Sequence, residues 1–90
     1  MRLTWDFKKA ASNLKKHGVS FVEAASVFAH PLAALIEDAV DPERAILIGQ
    51  SNKRRVLLVV FIEKSEDTIR IISARRATSH ERKRYEEGEW

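Results

Sequence analysis

Apolar residues in the first part of the chain recur at the spacing of an amphipathic helix. The stripe consists of Phe7, Ala10, Ala11 and Leu14. This spacing predicts a helix over Phe7–His17, because residues three and four apart lie on one helical face. Asp6 is positioned to cap the first turn, and Gly18 supplies the left-handed residue that commonly ends a helix.

Two capping boxes predict the other helices. In each box a Ser or Thr and a Glu three residues later satisfy each other's backbone amides. The first box, Ser20–Glu23, opens a helix that ends at His30-Pro31, because proline disfavours helix at the residue before it. The second box, Thr78–Glu81, opens a final helix over about Ser79–Glu87.

The remaining apolar segments have the patterns of β-strands. Leu3 and Trp5 alternate with polar residues, which predicts a short edge strand at the start of the chain. The apolar run Val56–Ile62 is rich in β-branched residues and predicts a central strand covered on both faces. The strands predicted after the second helix are Leu35–Ile36, Arg44–Gly49, Arg55–Glu63 and Thr68–Ala74.

The predicted element order is β-α-α-β-β-β-β-α, in a single domain that spans residues 1–90. Consecutive strands joined by short connections predict a small antiparallel sheet of four to five strands. We expect the helices to pack on one face of this sheet, so the predicted fold class is α+β.

The composition excludes several kinds of chemistry. The chain has no cysteine, so a disulfide framework, a thiolate metal site and a cysteine nucleophile are all excluded. Its three histidines lack the spacing of metal ligands, and we expect neither a metal nor another cofactor. Without an apolar leader or a membrane-spanning run, we expect a cytoplasmic protein with no membrane partner.

Charge is distributed unevenly around a net value of +3. Residues 18–43 contain no Lys or Arg and five acids, so the rest of the chain holds all 16 bases and only eight acids. Basic segments that share one face would form a footprint for a polyanion. Lysines and arginines that merely solvate exposed helices and loops would give the same composition.

Cleavage of RNA through its 2′-hydroxyl fits the remaining side chains better than other chemistries. That reaction needs a base near the hydroxyl, cations around the phosphate and a donor to the leaving oxygen. Histidine titrates near neutral pH, and arginine presents planar donors to phosphate oxygens. On an ideal strand Arg70 and Arg76 would share one face while Arg75 points to the other.

Each candidate also has a purely structural explanation. His17 continues the apolar stripe of the first helix, and Glu81 is already explained as a capping residue. Tyr85 can pack against the sheet, and Arg82 lies four residues from Glu86, where a surface ion pair is expected.

Two motifs near the ends of the chain carry a more specific signal. The first comprises Trp5-Asp6 and Asn13-x-x-Lys16-His17-Gly18-Val19-Ser20-Phe21-x-Glu23-Ala24. The second comprises Arg70-Ile71-Ile72-Ser73-Ala74-Arg75, Glu81-Arg82 and Tyr85. Together they resemble the BrnT family of bacterial toxins, the ribonuclease half of type II toxin–antitoxin pairs. The resemblance runs from about residue 3 to residue 86 and includes Gly49-Gln50-Ser51 and the apolar strand Val56–Ile62.

The resemblance implies a RelE-like fold and a cytoplasmic ribonuclease that arrests growth without a metal. It also implies neutralisation by a BrnA-type antitoxin, whose DNA-binding part lets the pair repress its own promoter. Operator DNA would then be a partner only through the antitoxin complex. The motif positions carried onto this chain are Lys16, His17, Arg70, Arg75, Glu81, Arg82 and Tyr85.

The leading hypothesis is therefore a metal-independent endoribonuclease toxin. The expected catalytic residues are His17, Arg70, Arg75, Glu81 and Tyr85, with His17 or Glu81 transferring a proton. The expected RNA-binding residues are Lys15, Lys16, Arg76 and Arg82. Two hypotheses of other classes stay open, namely a non-catalytic nucleic-acid-binding module and a pure interaction protein with a basic docking face.

Overall fold

The computed structural model describes all 90 residues and has the element order that the sequence predicts. The elements are β1 (Arg2–Thr4), α1 (Phe7–His17), α2 (Phe21–Val27), β2 (Ala34–Glu37), β3 (Arg44–Gln50), β4 (Val56–Glu63), β5 (Thr68–Arg76) and α3 (Ser79–Glu86). The bounds of α1 agree with the prediction at both ends, and its caps do too. Asp6 accepts from the first-turn amides, and Gly18 ends the helix with φ +69°.

The five strands form one sheet in the order β1-β5-β4-β3-β2. Strands β2 to β5 form the predicted antiparallel meander. The sheet is nevertheless mixed rather than wholly antiparallel, because β1 pairs with β5 in parallel, with Leu3 opposite Ile69. The two helices that follow β1 carry the chain to the opposite edge of the sheet, where β2 lies. Strand β1 itself pairs with the free edge of β5 and runs in the same direction as β5.

The main core lies between the sheet and the first two helices. From the central strand β4, Leu57, Val59 and Phe61 are buried against this helical layer. Phe21 of α2 meets Trp5 edge-on, with ring centroids 6.1 Å apart. Leu58 points to the opposite face of β4 and is also buried, so the prediction of a central strand covered on both faces is confirmed.

Helix α3 departs from the expectation that all helices pack on one face. Tyr85 of α3 lies in the same cavity as Gln50 and Val56. These two residues alternate with Gly49 and Leu57, which face the α1–α2 layer, so they point away from it. The third helix therefore borders the opposite face of the sheet.

The two large residues of the predicted apolar stripe of α1 do not face the core, and only Ala10 of the stripe packs against it. Phe7 is 84% exposed and Leu14 is 52% exposed, whereas the polar residue Asn13 is buried. The Asn13 amide nitrogen donates to the carbonyls of Val19 at 2.9 Å and Ala74 at 2.8 Å, and its oxygen accepts from the Ala74 amide at 3.1 Å. The edge of β5 beyond β1 has no strand partner, so the Asn13 side chain supplies the missing donor and acceptor.

A β-bulge in β5 changes which arginines share a face. Val60 lies opposite Ser73 while Phe61 lies opposite Ile71, so Ile72 is an extra residue. The alternation of side chains therefore shifts beyond Ile72. Arg70 and Arg75 lie opposite Ile62 and Leu58, which share one face, and Arg76 lies opposite Leu57 on the other. The ideal-strand expectation that Arg70 and Arg76 share a face is wrong.

Candidate functional site

The two ends of the sheet differ in the sign of their net charge. The β3–β4 loop, the C-terminal end of β5 and the C-terminal end of α1 meet at one end, since Arg55 donates to the Gly18 carbonyl at 3.1 Å. We call this the basic end; it carries Lys15, Lys16, His17, Lys53, Arg54, Arg55, Arg75 and Arg76. The opposite, acidic end holds the β2–β3 and β4–β5 loops; its acids Glu37, Asp38, Asp41, Glu43, Glu63, Glu66 and Asp67 outnumber its bases Arg44 and Lys64.

A groove between α1 and the outer edge of β5 leads toward the basic end. We call it the basic groove; its volume is about 320 Å³. Its polar lining is Lys8, Lys9, Ser12, Asn13, Lys16 and His17 of α1 and Ser73 of β5. The Asn13–Ala74 hydrogen bonds hold α1 against β5, so the helix and the strand form a fixed pair of walls. Two of the predicted site residues, Lys16 and His17, lie here side by side.

Arg70 lies at the other end of α1 from His17. Its Nη2 is 3.8 Å from the Asp6 carboxylate, which also caps the helix. Hydrogen bonds from the Lys9 and Lys8 amides hold the pKa of Asp6 below its usual value, and the charge of Arg70 adds to that effect. The Arg70 guanidinium is partly exposed and remains accessible to an anion.

Arg75 and Glu81 form a two-pronged ion pair between β5 and α3. The two guanidinium nitrogens donate to the two carboxylate oxygens at 2.8 and 2.9 Å. Glu81 also accepts from the Thr78 amide at 2.9 Å, which confirms the predicted second capping box. These bonds, that from Arg75 above all, lower the pKa of Glu81 from 4.5 to about 2. Glu81 is thus a fixed anion that orients the guanidinium of Arg75.

Tyr85 faces a different cavity. Its hydroxyl donates to the Leu32 carbonyl at 2.9 Å, and burial raises the pKa of the phenol. The cavity measures about 630 Å³ and is also lined by His30 and Gln50. Tyr85 is therefore a neutral phenol here and does not line the basic groove.

The other predicted RNA-binding residues are exposed. Lys15 and Arg76 lie at the basic end without an ion-pair partner. Arg82 lies 3.3 Å from Glu86, as the four-residue spacing predicts. The structure thus groups Lys16 with His17 and Arg75 with Glu81, while Tyr85 and Arg82 stand apart on α3.

A buried network that sequence reasoning missed supports the end of α1. Glu23 is 2% exposed, and its carboxylate binds the Arg55 guanidinium and accepts from the Ser51 hydroxyl at 2.6 Å. The hydrogen bond from Arg55 lowers the pKa of Glu23. Arg55 also bonds to Gly18, the residue after His17, so this network fixes where α1 ends.

Glu23 differs from its predicted role as half of a capping box. Ser20 does accept from the Glu23 amide, but the Glu23 side chain turns toward Arg55 instead of the Ser20 amide. No local spacing signals this bond, because the two partners are 32 residues apart. Across the chain, no three His, Asp or Glu side chains converge in a metal-binding arrangement. No helix of the chain has the length and apolarity needed to cross a membrane.

Comparisons with known proteins agree with this architecture. A family described as the ribonuclease toxin BrnT of type II toxin–antitoxin systems matches residues 5–81. The match includes Lys16, His17, Arg70, Arg75 and Glu81 but ends before Arg82 and Tyr85. A search of curated proteins finds no match.

A solved structure, the 1.1 Å crystal structure of the Brucella abortus ribonuclease toxin BrnT, superposes with a TM-score of 0.72. The two chains are 25% identical, and the alignment covers 88% of this chain and 99% of the other. The family match spans most of the sequence, and the solved fold supports it independently. The chain belongs to the BrnT family of ribonuclease toxins of type II toxin–antitoxin systems.

Proposed function

We propose that this toxin is an endoribonuclease that binds RNA in the basic groove, cleaves it without a metal ion and thereby arrests growth in the cytoplasm. The observation that carries the proposal is the juxtaposition of Lys16 and His17 in a groove with two further lysines. The lysines along this groove attract the phosphate backbone, and the imidazole beside them can transfer a proton.

The proposed reaction begins with the 2′-hydroxyl of a bound nucleotide. His17 accepts the hydroxyl proton as the 2′ oxygen attacks the neighbouring phosphorus, and the bond to the 5′ oxygen breaks. Ammonium groups of the same groove, Lys16 among them, are donors for the leaving 5′ oxygen. The products are a 2′,3′-cyclic phosphate and a 5′-hydroxyl end, so no water is consumed in this step.

Arginines serve the phosphate in this scheme. We assign Arg75 to the negative charge that develops on the phosphoryl oxygens, and Arg70 to the backbone at the far end of α1. Glu81 positions Arg75 and does not accept the proton, because its pKa is low and both of its oxygens already accept from Arg75. The proton acceptor is then His17.

The exposed cations extend the RNA path. Lys15, Arg76 and Arg82 are assigned to flanking phosphates, and Tyr85 to a base of the nucleotide beyond Arg75. Support for the flanking assignments comes from the exposure of Lys15, Arg76 and Arg82. Support for Tyr85 is its neutral ring beside an open cavity at the basic end.

We further propose that the partner is a BrnA-type antitoxin and that operator DNA is contacted only through the complex. Membership of a type II toxin–antitoxin family supports a protein antitoxin. The DNA-binding part would then belong to the antitoxin, and the toxin would contribute repression by completing the assembly.

Cleavage of a labelled RNA by the purified chain in the presence of EDTA tests the proposal. We expect cyclic phosphate ends, no cleavage of a 2′-deoxy substrate, and a rate about 10²- to 10⁴-fold lower for His17→Ala. Lys64→Ala, at the acidic end, is the matched control and should cleave normally. Salt-sensitive RNA binding without any scission would instead favour the non-catalytic binding module and overturn the enzymatic proposal.

A further inference from the structure

Helix α1 borders a second groove on the side away from the basic groove. This apolar groove is lined mainly by Trp5, Ala10, Ala11, Leu14, Phe21 and Val22. Leu14 is 52% exposed and Val22 is 68% exposed, so large apolar side chains stand open to solvent at its rim. Exposed apolar side chains grouped along a groove are typical of an interaction surface.

The charged side chains of α1, the helix that borders the apolar groove, all have one sign. Helix α1 carries four lysines, at Lys8, Lys9, Lys15 and Lys16. The helical layer has few acids to balance them: Glu23 is buried against Arg55, and the Asp6 carboxylate is engaged by backbone amides and Arg70. A partner with carboxylates beside its apolar side chains would therefore be complementary to this surface.

We propose that the apolar groove is the docking site for the cognate antitoxin, which inserts an acidic amphipathic segment there. This inference rests on the proposed function, since it assigns a surface to the antitoxin. A second copy of the chain is a poorer occupant, because a symmetric contact would place the α1 lysines of both copies against each other. The apolar residues of the segment fill the groove, and its carboxylates meet the lysines.

The position of the lysines explains how docking at this groove blocks RNA. Lys8, which lines the basic groove, and Lys15 are seven residues apart and so lie on the same side of α1. This ridge separates the apolar groove from the basic groove. A segment anchored at Leu14 and Val22 neutralises the ridge and extends over the entrance to the RNA site.

Binding of the purified cognate antitoxin tests this assignment. Full-length Val22→Glu and Leu14→Glu variants should bind the purified antitoxin at least tenfold more weakly than the wild type, because a new carboxylate faces both apolar and acidic groups. Val22→Lys should lose less affinity than Val22→Glu. Val40→Glu is the matched control, since Val40 is 93% exposed in the β2–β3 loop, and it should bind like the wild type. RNA cleavage by all the variants should stay within about twofold of the wild-type rate, which also shows that they are folded.

The outcomes separate the two proposals. If the wild type does not bind the antitoxin at all, the proposed toxin–antitoxin function fails. If the wild type binds and both glutamate variants bind equally well, the docking assignment alone is overturned. The docking assignment also falls if the glutamate variants instead abolish binding to phosphatidylglycerol vesicles, or dissociate a dimer seen by sedimentation, since the face would then serve a membrane or a second copy.

Discussion

Two arginine–glutamate pairs stand at the basic end of the molecule in contrasting surroundings. Glu23 and Arg55 join α2 to the β3–β4 loop, and the Glu23 side chain is 1% exposed. Glu81 and Arg75 join α3 to β5, and their side chains are 21% and 42% exposed. The Glu23 carboxylate does not complete its capping box and makes a tertiary contact instead. The Glu81 carboxylate accepts both from the amide of its capping box and from Arg75.

This contrast distinguishes a pair that stabilises the fold from a pair that can bind a ligand. A buried pair whose members also bind Ser51 and the Gly18 carbonyl has little capacity left for a ligand. A partly exposed pair fixes an arginine while leaving part of its guanidinium accessible to a phosphate. We therefore expect the two pairs to respond differently to substitution, one in stability and the other in activity.

The largest effect on stability should follow from Glu23→Ala. The substitution leaves the buried Ser51 hydroxyl and the half-buried Arg55 guanidinium without their acceptor, which should lower the free energy of unfolding by about 3 kcal/mol. Urea denaturation measures the change. Glu86→Ala, an exposed carboxylate, serves as the control. A loss for Glu23→Ala no larger than that for the control would show that the buried network does not support the fold.

Arg75→Ala should instead reduce activity strongly and stability only slightly. We expect RNA cleavage and growth arrest to fall by about 10²- to 10³-fold, because a donor to the developing phosphate charge is lost. The free energy of unfolding should fall by only about 1 kcal/mol, since Glu81 can be solvated and keeps its cap. Rates with purified RNA and urea denaturation of the same sample separate the two effects. Unchanged toxicity would remove Arg75 from the site.

The dependence of stability on pH in the acidic range tests the same comparison between the two pairs. The pKa of Glu81 is about 2 in the folded protein against 4.5 ordinarily, so its contribution to stability is fully present above pH 4.5. That contribution disappears as the pH falls from about 4.5 to about 2. Glu81→Gln should therefore be less stable than the wild type at pH 7, and the difference should shrink across this window in urea titrations at each pH. Glu23 titrates in both proteins and largely cancels. A difference that is independent of pH would contradict the assignment of Glu81 as an anion bound to Arg75.

The sequence predicted what short spacings determine. The bounds of α1, the Thr78–Glu81 capping box and the central position of β4 all depend on neighbours in the chain, and each was confirmed. The buried Asn13 was not foreseen, because its partner Ala74 lies 61 residues away. Spacing alone favoured Phe7 and Leu14 as the buried side of α1, but the need to satisfy the edge of β5 turned that helix differently.

The grouping of the candidate site residues could not be predicted from local sequence patterns either, because it depends on contacts between distant parts of the chain. Lys16 and His17 are adjacent in sequence, so their joint presence in the basic groove follows from one helix end. The bulge at Ile72 has no signature in the sequence that alternation detects, yet it decides that Arg70 shares a face with Arg75 rather than Arg76. The roles of these residues in cleavage stay predictions.

The smallest effect should come from the ion pair between Arg82 and Glu86 on the surface of α3. Both side chains are about 60% exposed, so solvent screens their attraction and the pair should contribute only about 0.3–0.5 kcal/mol. Arg82→Ala, Glu86→Ala and the double variant form a cycle that isolates this coupling in urea denaturation. Arg82→Ala should reduce the salt dependence of RNA binding slightly, whereas Glu86→Ala should not. A coupling above about 1 kcal/mol would exceed the range of exposed ion pairs and would contradict the inference that solvent screens this pair.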